Sequence, residues 1–238
     1  GSTDITFRPG AVIGGEFAFD VGTAGSISLI LQACVLPAAL SKAPVTMTLR
    51  GGTDTRWSPP IDYTRLIHLP LARRMGVAFE VETVRRGFYP EGGGEVVARA
   101  GPCAAISGVD LSQRGDYLRI TGVSHAQNLP EHVASRMKHA ALKGLVGHKD
   151  VKVETDLRSG TSTGAVMVLA AEYEKTVLGS SALGQRGVRA ETLGETCASG
   201  LEETMRSGAT VDEHMVDQMV PYMALAKGDS VLLAEELT

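Results

Sequence analysis

The sequence predicts an α+β fold in more than one compact unit, and three observations carry that expectation. A chain of 238 residues with 43% apolar content can bury the core of two units as readily as one. Up to about residue 100 the pattern reads strand, strand, helix, strand, helix, strand, strand. From about Gly101 the character changes and a second series of strands and helices begins.

Residues 4–8 and 16–21 are expected as short strands, punctuated by Pro9-Gly10 and Gly14-Gly15. ISLILQACVLPAAL is too long and too apolar for a strand, so a buried helix is expected over 26–40. DVGTAGS leads into it: Gly22 and Gly25 make a turn, and Thr23 or Ser26 can cap the helix. Such an end attracts anions, but no GK[ST] of a P-loop is present and a plain capped turn explains it equally. A strand at 45–49, a loop RGGTDTRWSPP and an amphipathic helix over 61–75 follow. Strands at 77–84 and 95–100 close the first series. Between them lies RRGFYPEGGGEV, where Pro90 cannot donate a ladder bond and three glycines permit positive φ or close backbone approach. A bulged hairpin accounts for the glycines and leaves Arg85, Arg86, Phe88 and Tyr89 without a reason.

The second series is expected as strand 117–123, helix 130–145, strand 151–155, a flexible loop RSGTSTG, strands 165–173 and 176–180, and helix 188–207. Four strands and two helices suffice for a small helix-covered sheet of about a hundred residues. A helix over 211–226 and a strand over 230–234 come last. They are too little to fold alone and must pack on an earlier unit or on other chain.

No apolar run reaches the roughly 20 residues that span a bilayer, and the first residues do not resemble a secretory signal, so no membrane partner and a cytoplasmic location are expected. Cys34, Cys103 and Cys197 are far apart and in no CxxC pair, and are expected as core thiols. The formal charge of −4 argues against bulk attraction of nucleic acid. The charge is uneven, however. Residues 50–86 hold seven arginines and four acids, whereas 190–238 hold ten acids against Arg206 and Lys227. Opposed solvated faces explain this, and so does a phosphate-handling surface built on arginine forks.

Two positions stand out chemically. Gln32 is the one large polar residue in its apolar helix, and a buried amide needs a partner, either a backbone carbonyl or a ligand. In VDEHMVDQMVPYMALA, Val211, Met215, Met219 and Met223 make a core stripe, while His214, Asp217 and Gln218 stand at i, i+3 and i+4 and can converge. Pro221 deprives the carbonyl four residues earlier of its donor. A pocket or a solvated face fits that pattern. His125, His132 and His139 lack partners at metal spacing, RSGTSTG lacks His–Asp partners for nucleophilic work, and the RGD in DLSQRGDY has no chemical context.

Taken together, R86-G-F-Y-P-E-G-G-G-E-V96, F19-D-V-G-T-A-G-S26, L31-Q32, R50-G-G-T-D54, W57-S-P-P60 and V211-D-E-H-M-V-D-Q218 resemble the landmarks of the RNA 3′-terminal phosphate cyclases. The resemblance implies repeated units of two helices on a four-stranded sheet, similar to the C-terminal domain of translation initiation factor three, with an inserted thioredoxin-like α/β domain. The expected division is core over 1–104, insert over 105–208 and a return to the core over 209–238. The resemblance also implies ATP as substrate, a divalent cation (Mg or Mn), and RNA with a 3′-phosphate end that becomes a 2′,3′-cyclic phosphate through histidyl-AMP and RNA-adenylate intermediates. Gln32, His214, Met215, Val216, Asp217 and Gln218 match the family's nucleotide-contacting positions, and His214 stands where some relatives carry tyrosine. The family's nucleophilic histidine is expected a few residues beyond Thr238, so no catalytic residue and no metal ligand are assigned within the chain, which is expected to be an inactive interior piece of a cyclase. A cyclase-like protein acting without catalysis in ribosomal RNA processing or ribosome assembly is the alternative. An enolpyruvyl-transferase-like enzyme leaves RGFYPEGGGEV unexplained.

Overall fold

The computed structural model describes residues 3–235. The chain runs β1 (Gly15–Asp20), α1 (Ile27–Ala39), β2 (Val45–Gly51), α2 (Ile61–Tyr63), a π-helical turn (Thr64–His68), α3 (Leu69–Arg74), β3 (Phe79–Arg85), β4 (Gly94–Ala100), β5 (Asp110–Leu111) and β6 (Tyr117–Gln127). It continues with α4 (Glu131–Gly144), β7 (Val151–Arg158), β8 (Gly164–Tyr173), β9 (Val177–Leu183), α5 (Ala190–Ser207), α6 (Glu213–Leu225) and β10 (Val231–Leu232). The fold is mixed α+β, as the patterning predicts.

The first sheet has the order β1-β2-β4-β3, with β1 parallel to β2 and the other pairs antiparallel. In β2 the side chains of Val45, Met47 and Leu49 are buried while their neighbours are not, because a strand with one covered face alternates. These three share a core with Leu31 and Val35 of α1 and Ile61, Ile67 and Leu71 of the next helix. Ser26 caps α1, its Oγ accepting from the Leu29 amide at 3.3 Å. The helix expected over 61–75 forms with one irregularity. Pro70 has no N–H, and just ahead of it the Leu69 amide donates five residues back to Thr64, which widens the helix into the π turn.

The second sheet has the order β7-β6-β8-β9, with β6 parallel to β7 and antiparallel to β8. GAVMVLAAEY of β8 is apolar on both faces because both are covered. Met167, Leu169 and Ala171 pack with Met137 and Ala141 of α4 and Cys197 and Leu201 of α5. Val166, Val168 and Ala170 join the core of the first sheet instead. The closing residues also pack there: α6 sends in Met215 and Met219, and β10 pairs with β5.

Several expectations are corrected. Residues 4–8 form no strand; Ile5 and Phe7 are 96% and 82% exposed, and alternation without a partner strand is not a ladder. β5 is too short for its pattern to show and exists through its pairing with β10. β6 and β9 run past their expected ends, and α5 starts at Ala190. Cys197 is a core thiol, but Cys34 and Cys103 are half-buried. The RSGTSTG segment is anchored, not flexible: Asn128 and Gly160 exchange two hydrogen bonds, and Ser162 Oγ bonds the Glu91 carboxylate.

Candidate functional site

The candidate residues 214–218 lie in the first turns of α6, and the sequence moors that end firmly. Asp212 is the N-cap: its side chain accepts from the Met215 amide at 3.1 Å, from the Gly179 amide of β9 at 2.8 Å and from the Tyr63 hydroxyl of α2. One buried carboxylate thereby ties three elements together. Burial pushes its pKa up, against the hydrogen bonds from Tyr63 and Gly179 that hold it down. Gly179 has no alternative here, since a Cβ would come within 2.6 Å of Ile67 and 2.7 Å of Tyr63. Further along both helices, His68 of the π turn bonds the Tyr222 hydroxyl at 2.9 Å.

This mooring sorts the five residues. Met215 and Val216 are buried in the core, so their side chains serve packing, and only their backbone could face a ligand. His214 and Asp217 are exposed and Gln218 is half-exposed, so the i, i+3, i+4 trio shares the accessible side of the helix. The His214 ring lies 6.5 Å from that of Tyr63 in an edge-on arrangement. Pro221 stands inside α6 and has no N–H for the carbonyl of Asp217. The face therefore offers an imidazole, a carboxylate and an amide on a rigid base.

Gln32 corrects the premise on which it was singled out. It is half-buried, not buried, and its amide makes no hydrogen bond among the described residues. Solvent or a ligand can satisfy it at little cost. α1 and α6 contribute to the same apolar core, but among the described residues no hydrogen bond joins Gln32 to α6.

The glycine-rich signature resolves into a joint between the two sheets. Gly92 and Gly93 have φ of +71° and +73°, and each glycine also meets a different neighbour. A Cβ at Gly92 would lie 1.9 Å from the Thr23 carbonyl oxygen, at Gly93 2.4 Å from Thr161 Oγ1, and at Gly94 2.8 Å from the Gly51 carbonyl oxygen. Phe88 is buried and stacks on His125 of β6 at 5.7 Å and 3°, and Gly164 of β8 leaves the room for its ring. Arg86 is 3% exposed and collects three carboxylates: Asp54, bonded through both oxygens at 3.1 Å, Asp62, and Asp156 of β7 at 3.7 Å. Asp54 and Asp62 raise its pKa although burial lowers it. Asp156 also accepts from His125 Nδ1 at 2.9 Å and from Arg158 at 3.1 Å. Burial, then the Arg86 charge, holds the His125 imidazole below its usual pKa.

Much of the basic stretch is thus used internally. Arg50 and Arg85 both bond Glu95 at 3.0 Å, and Arg65 bonds Asp62 at 2.6 Å. Tyr89 is left 79% exposed beside the buried Phe88. Sequence reasoning missed Tyr63, His68, Asp212 and the Arg86 partners. The capping pattern D-E-H-M at 212–215 is the one local sign that could have singled out Asp212; the others are brought together only by tertiary packing.

Fold and site define a mixed α+β protein in which a glycine-rich turn joins two helix-covered sheets and α6 presents a polar face. The model of the RNA 3'-terminal phosphate cyclase family matches residues 1–238, and the chain belongs to that family. It is 41% identical over 240 residues to an RNA 3'-terminal phosphate cyclase of Archaeoglobus fulgidus, covering 100% of this chain and 71% of that protein. Similar proteins of the same name come from Pyrobaculum neutrophilum (42% identical, 100% of this chain, 70% of that one) and Ignicoccus hospitalis (43%, 100% and 69%). Among the described residues no helix is long and apolar enough to cross a membrane.

Proposed function

We propose that the chain is the larger part of an enzyme that uses ATP to convert an RNA 3′-phosphate end into a 2′,3′-cyclic phosphate. In this reading a histidine attacks the α-phosphorus of ATP and expels pyrophosphate. AMP then passes to the RNA 3′-phosphate, and the neighbouring 2′-hydroxyl attacks that phosphorus and expels AMP. Activation of the leaving group is the physical core of the scheme, since AMP departs far more readily than an oxide.

The observation that carries the reading for this chain is the exposed trio on α6, held from beneath by Asp212 and Tyr63. His214, Asp217 and Gln218 are assigned to nucleotide contact by side chain and Met215 and Val216 by backbone, with Gln32 as a further amide. A rigid, polar helix face with an exposed imidazole backed by the buried Tyr63 ring suits a base and ribose. We assign no nucleophile within residues 1–238: His68 and His125 are buried in hydrogen-bonded sites, His148 is bonded to Glu202, His132 and His139 stand on α4 of the second unit, and His214 belongs to the binding face. Among the described residues no group of three His, Cys, Asp or Glu side chains could hold a metal ion, so no step is routed through a cation. A divalent ion of this kind commonly arrives on nucleotide phosphates with few protein ligands.

We further assign 1–104 and 209–238 to cyclase core and 105–208 to a thioredoxin-like insert. The β7-β6-β8-β9 order, with β8 antiparallel to both neighbours, supports that assignment. So does the β1-α1-β2-helix-β3-β4 order of the first sheet for a unit of the initiation-factor type.

Equilibrium binding of ATP to the 238-residue chain tests the reading. Asp217→Ala and Gln218→Ala should each weaken binding about tenfold, while labelled ATP should leave no covalent AMP on this chain. A parent chain without ATP affinity would refute the nucleotide face and favour a cyclase-like protein acting as a scaffold in ribosome assembly. A stoichiometric histidyl-AMP would show that the nucleophile lies among these residues.

A further inference from the structure

A groove of about 960 Å³ is lined by the signature turn and the second sheet's helices, with no residue of α6 in its lining and outside every role assigned above. Its lining brings together Tyr89 and Glu91 of the signature turn, the Thr161–Thr163 segment, and Arg136, Arg186 and Arg189. Its volume stands at the upper end of the roughly 300–1,000 Å³ typical of ligand sites, more than a mononucleotide fills.

The chemistry of the lining is directional. Glu191 is neutralised by Arg136 through two bonds of 2.6 and 2.8 Å, and Glu91 is engaged by Ser162 Oγ. Arg186 and Arg189 are exposed and form no salt bridge among the described residues, so their forks are available to an incoming anion. The first turns of α4 and α5 also contribute to the lining, and neither helix has a side-chain cap: Pro130 offers no hydrogen-bonding side chain, and Arg189 accepts no bond. The N–H groups of both helix starts add positive potential to the same groove, offset in part by Glu131 and Glu191 in their first turns. Gln127, fully buried, holds the Thr161–Thr163 segment: its Nε2 donates to the Ser162 carbonyl at 2.8 Å and its Oε1 has no partner among the described residues. Tyr89, also in the lining, is 79% exposed while its neighbour Phe88 is locked in the joint.

Cationic forks, paired helix starts, hydroxyls and an exposed ring are the elements with which proteins hold a single nucleic-acid strand. We propose that this groove holds the single-stranded RNA leading to the reacting 3′ end, with phosphates on Arg186 and Arg189 and a base stacked on Tyr89. The proposal rests on the RNA-end reading above, and it gives the second sheet a part in the reaction: it grips the strand while the α6 face binds the nucleotide. The net lining charge, positive in a chain of formal charge −4, favours a polyanion over a neutral peptide.

Anisotropy of a short fluorescein-labelled oligoribonucleotide, measured without ATP over a range of salt, tests this on the 238-residue chain. Arg186→Glu combined with Arg189→Glu should weaken binding about tenfold or more and reduce the salt slope by about 0.7 for each phosphate no longer neutralised. Tyr89→Ala should weaken it about five- to a hundredfold. ATP affinity should be unchanged in all of them, and so should the unfolding midpoint, because these side chains are exposed. Should the charge reversal lower the midpoint, Arg186→Gln with Arg189→Gln replaces it and carries the same expectation. Cross-linking of a 4-thiouridine oligonucleotide to the peptide containing Tyr89 is the positional check. Unaltered RNA affinity in the variants overturns the proposal, as do equal binding of single-stranded DNA and preference for a phosphopeptide. Absence of RNA binding by the parent overturns it too, whereas loss of ATP binding alone overturns only the nucleotide face.

Discussion

Asp212 shows how much one side chain can decide. Its sequence context announces a helix cap and nothing more, yet its second oxygen reaches β9 and Tyr63 closes on the first. Replacing it by alanine removes the carboxylate from the buried Tyr63 hydroxyl and Gly179 amide, each costing about 1–3 kcal/mol, and removes the side-chain cap, while the Met215 amide keeps the backbone carbonyl of residue 212 at 3.0 Å. Asp212→Ala should therefore lower unfolding free energy in urea by several kcal/mol, and Asp212→Asn, which can still cap, by about half as much. Gln32 behaves in the opposite way. It is half-exposed and makes no hydrogen bond among the described residues, so Gln32→Ala should change stability by less than about 0.5 kcal/mol. If it contacts nucleotide, the same variant should weaken ATP binding, and an unchanged affinity would remove it from the site. Its apolar helix suggested burial all round, which holds for Ile27, Leu31, Val35 and Leu36 but not for Leu29, 48% exposed, because which side of α1 the sheet covers is decided by the strands, and Gln32 falls at the margin.

At the scale of elements, the turn over residues 86–96 acts as a connector between sheets, which its local pattern did not disclose. The glycines announced positive φ, and the structure agrees; that their missing side chains make room for three separate elements follows only from the packing. Gly92→Ala drives a Cβ into a backbone carbonyl, which cannot rotate aside, whereas Gly93→Ala meets the side chain of Thr161. Gly92→Ala should thus be the more damaging in thermal unfolding. Adding Thr161→Ala should recover part of the loss caused by Gly93→Ala and none of that caused by Gly92→Ala. Arg86 is the ionic half of the same joint. Arg86→Ala leaves Asp54 buried without its cation, while Asp62 keeps Arg65 and Asp156 keeps Arg158. A loss of about 3–5 kcal/mol is expected in chemical denaturation. Arg86→Lys should recover only a fraction, because a single ammonium cannot serve carboxylates on two units in different directions.

For the whole molecule, the two cores meet through β8, whose alternate side chains enter different clusters. Stability should consequently respond to pH as one unit. Burial lowers the pKa of His68 to about 4, and burial with Arg86 lowers that of His125. An unfolded chain takes up these protons near pH 6.5 and the folded chain does not, so stability is full above that value and falls as the pH drops toward 4. Each group contributes a slope of about 1.4 kcal/mol per pH unit within its window. Urea titrations across that range should show the fall, and His68→Gln should remove about one proton's share of it. Local periodicity and turn chemistry were enough to place most of the strands and helices, to narrow the α1 cap to Thr23 or Ser26, and to read the core stripe of α6 and the family landmarks, because each depends on residues within one or two turns of each other. The absence of a ladder at residues 4–8, the pairing of β5 with β10, the sharing of β8 between two cores and the convergence of Arg86 with Asp54, Asp62 and Asp156 were decided by tertiary structure alone. Those features depend on residues up to more than a hundred positions apart in the chain, and no local preference encodes which distant surface will arrive to satisfy a buried charge.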